Sequence, residues 1–108
     1  MTMMSYNAGP FTRVASEWGD RLWSFLNEPE IVYRMKEASD REEPAAGAIG
    51  QRLHEAFGDP IKEDRIKQFI GYLIRQVMED NGYTHHSYGH KTPCNPVFKN
   101  ASLYAKQK

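Results

Sequence analysis

Cysteine and long apolar runs are both scarce in this sequence of 108 residues. Cys94 is the single cysteine, so no disulfide can form within the chain and nothing favours an oxidising compartment. The longest apolar run extends from Phe69 to Ile74, far short of the roughly 20 residues that span a bilayer. The first ten residues lack the apolar segment of a secretory signal. We therefore expect a cytoplasmic protein that does not associate with membranes.

An assembled set of catalytic groups is also lacking. Cys94 and His90 have the chemistry of a nucleophile and a base, but no third group is placed to orient them. Pro93 and Pro96 flank the thiol and remove two backbone N–H groups that an oxyanion would need. We therefore expect a protein that is not an enzyme and uses no cofactor, with a small enzyme as the last alternative.

Potential zinc ligands cluster at His85, His86, His90 and Cys94. Imidazole and thiolate groups bind zinc in proteins, and a structural zinc site normally has four such ligands. The spacing matches none of the standard zinc frameworks. We expect surface histidines without a bound metal, and a zinc site remains the alternative.

Acidic residues are absent from the C-terminal part of the chain. Residues 1–80 contain all 14 acids and ten of the 14 basic residues, whereas residues 81–108 contain four lysines and three of the four histidines. The same segment contains Tyr83, Tyr88, Phe98 and Tyr104. Basic and aromatic residues together are typical of surfaces that neutralise phosphates and stack on bases. A solvated basic tail is the alternative.

Apolar spacing and helix-terminating residues predict four helices. We expect them from about Phe11 to Leu26, from Pro29 through a short segment, and from Pro44 to Phe57. The fourth is capped by Asp59, begins at Pro60 and ends at Gly82. Gly47 and Gly50 weaken the third of these. The fourth helix has the broadest apolar stripe, which predicts the centre of the core. This stripe comprises Ile66, Phe69, Ile70, Leu73, Ile74, Val77 and Met78.

After Gly82 the helical period is lost, and β-branched and aromatic residues with turn residues predict a ribbon. We expect strands at Tyr83–Tyr88 and Pro96–Lys99, with Ala101–Lys106 packing back as a strand or a short turn. The chain is thus interpreted as one mainly α (α+β) domain over residues 1–108. Its helical core is expected at about 10–82 and its basic aromatic ribbon at about 83–108. The element order also matches a winged helix-turn-helix, although a plain helical bundle ending in a ribbon has the same order.

The helix end Gly71-Tyr72-Leu73-Ile74-Arg75-Gln76-Val77-Met78-Glu79-Asp80-Asn81-Gly82-Tyr83 is followed by Asn95-Pro96-Val97-Phe98 and Ala101-Ser102-Leu103-Tyr104. Residues 57–104 thereby resemble small uncharacterised bacterial proteins of mobile elements and gene cassettes. The resemblance implies a bacterial origin and a compact cytoplasmic domain. No activity is established for those proteins, so the resemblance transfers no catalytic residue.

From these features we predict a non-enzymatic binding module that contacts nucleic acid or an acidic protein surface through the basic aromatic ribbon. The alternative is a protein-interaction or homodimerisation module that uses Tyr72 and Arg75, because such pairs are favoured at interfaces. The candidate partner-binding residues are Arg65, Tyr72, Arg75, Tyr83, His86, Tyr88, His90, Lys91 and Lys99.

Overall fold

The computed structural model describes residues 6–107, which form four helices and a two-stranded antiparallel sheet. Helix α1 has three consecutive parts: α-helical Thr12–Val14, π-helical Ala15–Gly19 and α-helical Asp20–Leu26. It is followed by α2 (Pro29–Asp40), α3 (Ala45–Phe57), a 3-10 turn (Asp59–Lys62), α4 (Asp64–Asp80), β1 (Tyr83–Lys91) and β2 (Asn100–Lys106). The predicted mainly helical α+β fold with a C-terminal hairpin is confirmed. Residues 1–5 and Lys108, one of the four C-terminal lysines, lie outside the described residues.

Helix α4 is the centre of the core, as its stripe predicts. All seven stripe residues are buried. The helix begins at Asp64, four residues after the predicted first residue Pro60, because Glu63 has an extended backbone and its carboxylate accepts a hydrogen bond from the Arg65 N–H at 3.0 Å. Gly82 follows the end of the helix with φ +86°, a conformation that favours glycine. No helix within residues 6–107 is long and apolar enough to cross a membrane.

The segment from Tyr6 to Phe11, here called the N-terminal strap, packs along α4. The Gln76 amide accepts from the Asn7 N–H and donates to the Asn7 carbonyl, both at 2.7 Å. The Tyr6 hydroxyl lies against Gly19 in α1, where a Cβ atom would be 1.9 Å from it. This close contact lies in the π-helical part of α1. The sequence pattern predicted a helix here but not its π-helical part.

The hairpin strands pair from Tyr83 opposite Lys106 to Lys91 opposite Asn100. The predicted second strand at Pro96–Lys99 is wrong, and the segment expected to pack back provides that strand instead. Residues 92–99 form the connecting loop because the Asn95 side-chain oxygen accepts hydrogen bonds from the Val97 and Phe98 N–H groups at 2.9 and 2.8 Å. These bonds close a turn where a strand would need its backbone groups for pairing.

The hairpin belongs to the same core as the helices. Tyr83, Val97, Phe98 and Tyr104 are buried in the apolar cluster that contains the α4 stripe. Part of the ribbon expected at about 83–108 therefore packs with the helical core expected at about 10–82. The apolar members of the ribbon are buried because the helices alone leave one side of α4 uncovered.

Candidate functional site

A groove of about 390 Å³ lies between α4 and the hairpin. Its volume falls in the range of sites that hold small molecules or parts of larger ligands. One wall is formed by α4, the other by both strands and the loop between them. The lining residues are Ala46, Lys67, Gln68, Gly71, Ile74, Tyr88, Gly89, Phe98, Lys99, Asn100, Ala101, Ser102 and Tyr104.

Two lysines and no acid line this groove within residues 6–107. Lys67 on α4 has an ion pair with Asp64 at 3.5 Å, but Asp64 is almost fully exposed. Lys99 has no ion pair among the described residues. Because an exposed ion pair is worth little, both ammonium groups remain able to attract an anion. The electrostatics of the groove therefore favour an anionic ligand.

Tyr88 presents the most exposed aromatic ring in the described part of the chain, with 73% of its surface accessible. The pairing of β1 with β2 is irregular between Ser87 and His90, and Gly89 in this interval has φ +78°. A bulge of this kind changes the direction of the side chains beside it. The Tyr88 ring lies 4.1 Å from the His85 ring, centroid to centroid. This contact holds one flank of Tyr88 while the rest of the ring stays accessible for stacking.

Tyr104 combines a buried ring with an unpaired hydroxyl. Only 5% of the residue is exposed, and its hydroxyl has no hydrogen-bond partner among residues 6–107. Burial raises the pKa of the Tyr104 hydroxyl well above its ordinary value, so the group stays protonated at neutral pH. The hydroxyl is available to donate to, or accept from, a molecule in the groove.

Gly71 leaves the helix wall of the groove open. A Cβ atom at this position would have no neighbouring atom within 4 Å, although α4 is packed on its other faces. Glycine in the interior of a helix costs about 0.5–1 kcal/mol relative to alanine. Nothing in the packing requires glycine here, and its effect is to enlarge the groove.

Some residues predicted to contact a partner lie at or beside this groove. Tyr88 and Lys99 line it. Lys91 is exposed at the end of β1 and lines a neighbouring depression together with Lys99. His86 is exposed, whereas His90 is half-buried with its ring bonded to the Ser87 hydroxyl.

Arg75 lies on α4 near the groove but has a partner within the fold. Its guanidinium donates to the Glu79 carboxylate at 3.3 Å, which raises the pKa of Arg75. Arg75 does not line the groove, so it can act on an anion there only from beside the site.

Three other predicted contact residues have structural roles. Arg65 donates to the Pro10 carbonyl at 2.7 Å and lies 4.3 Å above the Phe11 ring. Tyr72 is half-buried, with its ring 5.3 Å from that of Phe11. Arg65 and Tyr72 thus hold the N-terminal strap on α4. Tyr83 is 1% exposed, so it has no surface for a partner, and none of the three lines the groove.

The Tyr83 hydroxyl donates to the Asp40 carboxylate at 2.7 Å. Burial and this carboxylate raise the pKa of Tyr83 from 10.0 to about 12. The unfolded chain therefore loses this proton at a lower pH than the folded chain does. The bond between Tyr83 and Asp40 therefore contributes fully to the free energy of unfolding below pH 10. That contribution decreases as the pH rises from 10 to about 12.

Replacement of Tyr83 by phenylalanine is expected to make this alkaline loss of stability shallower. At neutral pH it should also lower the free energy of unfolding by about 1 kcal/mol, since one hydrogen bond is removed. Urea denaturation at a series of pH values measures both effects. An unchanged pH dependence in Tyr83→Phe would show that the Asp40 contact does not control this titration.

The sequence pattern missed the α4 side of the groove. Lys67, Gln68 and Gly71 follow one another at near-helical spacing, a pattern that also describes any solvated helix face. The relevant signal was the glycine, which interrupts a helix of otherwise good helix formers without being a cap. Within residues 6–107 no three His, Cys, Asp or Glu side chains are arranged to hold a metal ion.

Comparisons with protein-family models, curated proteins and solved structures found no match. The resemblance of residues 57–104 to small bacterial proteins of mobile elements and gene cassettes stays a prediction. The case for a function therefore depends on the groove and its surroundings.

Proposed function

We propose that this protein is a non-enzymatic binding module that takes a single strand of nucleic acid along the hairpin face. The observation that carries the proposal is the concave groove with two lysines, an accessible tyrosine ring and no acid among its lining residues. Lysines neutralise backbone phosphates, and an exposed aromatic ring stacks on a base of any sequence. The combination is that of a site for single strands with little sequence preference.

The acid-free C-terminal segment supports the same proposal. The groove is continued by the loop between the strands, which follows the exposed Lys91 and ends at the exposed Lys99. The acids of the chain all precede residue 81. An incoming polyanion therefore meets its most favourable field at the hairpin.

The alternative of a homodimer face at Tyr72 and Arg75 has less support. Tyr72 packs on the N-terminal strap, and Arg75 donates to Glu79. A winged-helix mode is also less favoured, because α4 is the buried centre of the core and forms one wall of the groove, so it is not free to enter a major groove.

We expect the affinity for a labelled single strand to fall about tenfold when salt is raised from about 50 to about 200 mM, because bound phosphates release counterions. Fluorescence anisotropy measures this change. The double replacement Lys67→Glu with Lys99→Glu should abolish binding at the lower salt concentration. The control is Lys36→Glu, which also replaces a lysine by glutamate but in a separate depression beside Tyr33. It should bind the strand as the parent protein does.

Affinity that does not depend on salt would contradict the proposal. So would a double variant that binds as tightly as the parent protein. If an acidic peptide such as polyglutamate binds and the strand does not, the partner is instead an acidic protein surface.

A further inference from the structure

We propose that the groove between α4 and the hairpin is a base pocket, which receives one unstacked nucleobase of the bound strand while the flanking phosphates lie near Lys67 and Lys99. This inference rests on the function proposed above and adds to it a defined binding unit. A purely electrostatic surface would need lysines but no cavity. The groove provides a cavity as well, and its chemistry is what a base requires.

The floor and walls of the groove are suited to a flat apolar ring. Ile74 and Phe98 are buried, and Ala101 is partly buried, at the groove surface. Tyr88 stands at the rim with most of its surface accessible. A base that enters would exchange water contact on both faces for contact with these groups. Stacking of this kind contributes to single-strand binding without selecting a sequence.

The polar groups of the groove are mostly neutral, as the edge of a base requires. The Tyr104 hydroxyl has no hydrogen-bond partner among the described residues, and only 5% of the residue is exposed. Asn100 has an exposed amide with no partner in the same part of the chain. Hydroxyl and amide groups can both donate and accept, so they can pair with the edge of any base.

The open side of the groove at Gly71 gives room for the ring. No atom lies within 4 Å of the position where a side chain would begin. Replacement by leucine should therefore place an aliphatic side chain in the groove, where it takes up space that the base needs and offers no aromatic ring for stacking. Gly71→Ala is the matched control, because it makes the same backbone change and fills little of the cavity.

The probes are an oligothymidylate of about 12 nucleotides, within the site size of small single-strand-binding domains, and an abasic strand of equal length. We expect Gly71→Leu to weaken binding of the oligothymidylate about tenfold, the loss of one stacked base, and to leave binding of the abasic strand unchanged. Gly71→Ala should bind both strands as the parent does. Circular dichroism of each variant checks that the helices persist.

Tyr88→Ala provides a second variant that cannot damage the core, since Tyr88 is exposed. It should also weaken binding of the oligothymidylate and spare the abasic strand. If the parent protein binds both strands equally, or if both variants retain full affinity for the oligothymidylate, no base enters the groove and the base pocket is overturned. Salt-dependent binding would then still support the general function, whereas no binding of either strand overturns both.

Discussion

A chain that ends after Gly82 is expected to be unfolded at room temperature. The truncation removes Tyr83, Val97, Phe98 and Tyr104, all of which are buried in the same cluster as the α4 stripe. Burying a large apolar side chain contributes about 1.5–3 kcal/mol. Four such losses are comparable with the entire stability of a small domain, about 5–15 kcal/mol.

Circular dichroism and thermal melting of the truncated chain measure this result. We expect weak helicity and no cooperative transition. The control is the complete chain with Lys91→Glu, which changes an exposed residue of the same segment and should melt like the parent. A truncated chain with full helicity and a cooperative melt would show that residues 1–82 hold a core of their own.

Replacement of Gly50 by alanine is expected to lower the free energy of unfolding by about 1–3 kcal/mol, although alanine is the better helix former. A Cβ atom on Gly50 would lie 2.3 Å from both terminal atoms of the Asn95 side chain. Asn95 cannot move away easily, because its oxygen accepts the Val97 and Phe98 N–H groups and its nitrogen donates to the Gly47 carbonyl at 3.4 Å. The new methyl group must therefore displace the loop from α3.

Gly71→Ala serves as the opposite case. The same change at this helical glycine meets open space, so the helix propensity of alanine is gained and the free energy of unfolding should rise by about 0.5–1 kcal/mol. Urea denaturation of both variants gives midpoints whose shifts should have opposite signs. A rise in both midpoints would mean that loop 92–99 does not constrain Gly50.

These two glycines show how far the sequence could be interpreted. Periodicity predicted the helices and the buried stripe of α4, because both depend on neighbours along the chain. The same reasoning treated Gly50 only as a weak point of α3. Its role depends on Asn95, which is 45 positions away in the sequence, and no local pattern reports such a contact.

Only part of the candidate site could be predicted, because a local pattern does not report contacts between distant parts of the chain. Tyr88 and Lys99 lie in a segment whose composition is unusual, so they could be selected from the sequence. Lys67 and Gly71 lie on a helix with ordinary charges, and only the docking of the hairpin places them opposite Tyr88 and Lys99. Tyr83 was misjudged because aromatic residues of a basic segment include both buried and accessible rings. Composition does not separate the two.

The position of the hairpin also has a consequence for biosynthesis. The four helices leave the ribosome before β1 and β2 do, because the strands follow them in the chain. Until residue 106 has emerged, the side of α4 that contacts Tyr83, Phe98 and Tyr104 has no cover. Nascent chains with such exposed apolar surface are the ones prone to aggregate or to engage chaperones. The fold is therefore completed only after translation of the strands, and a ribosome stalled within β1 would hold a chain without a stable fold.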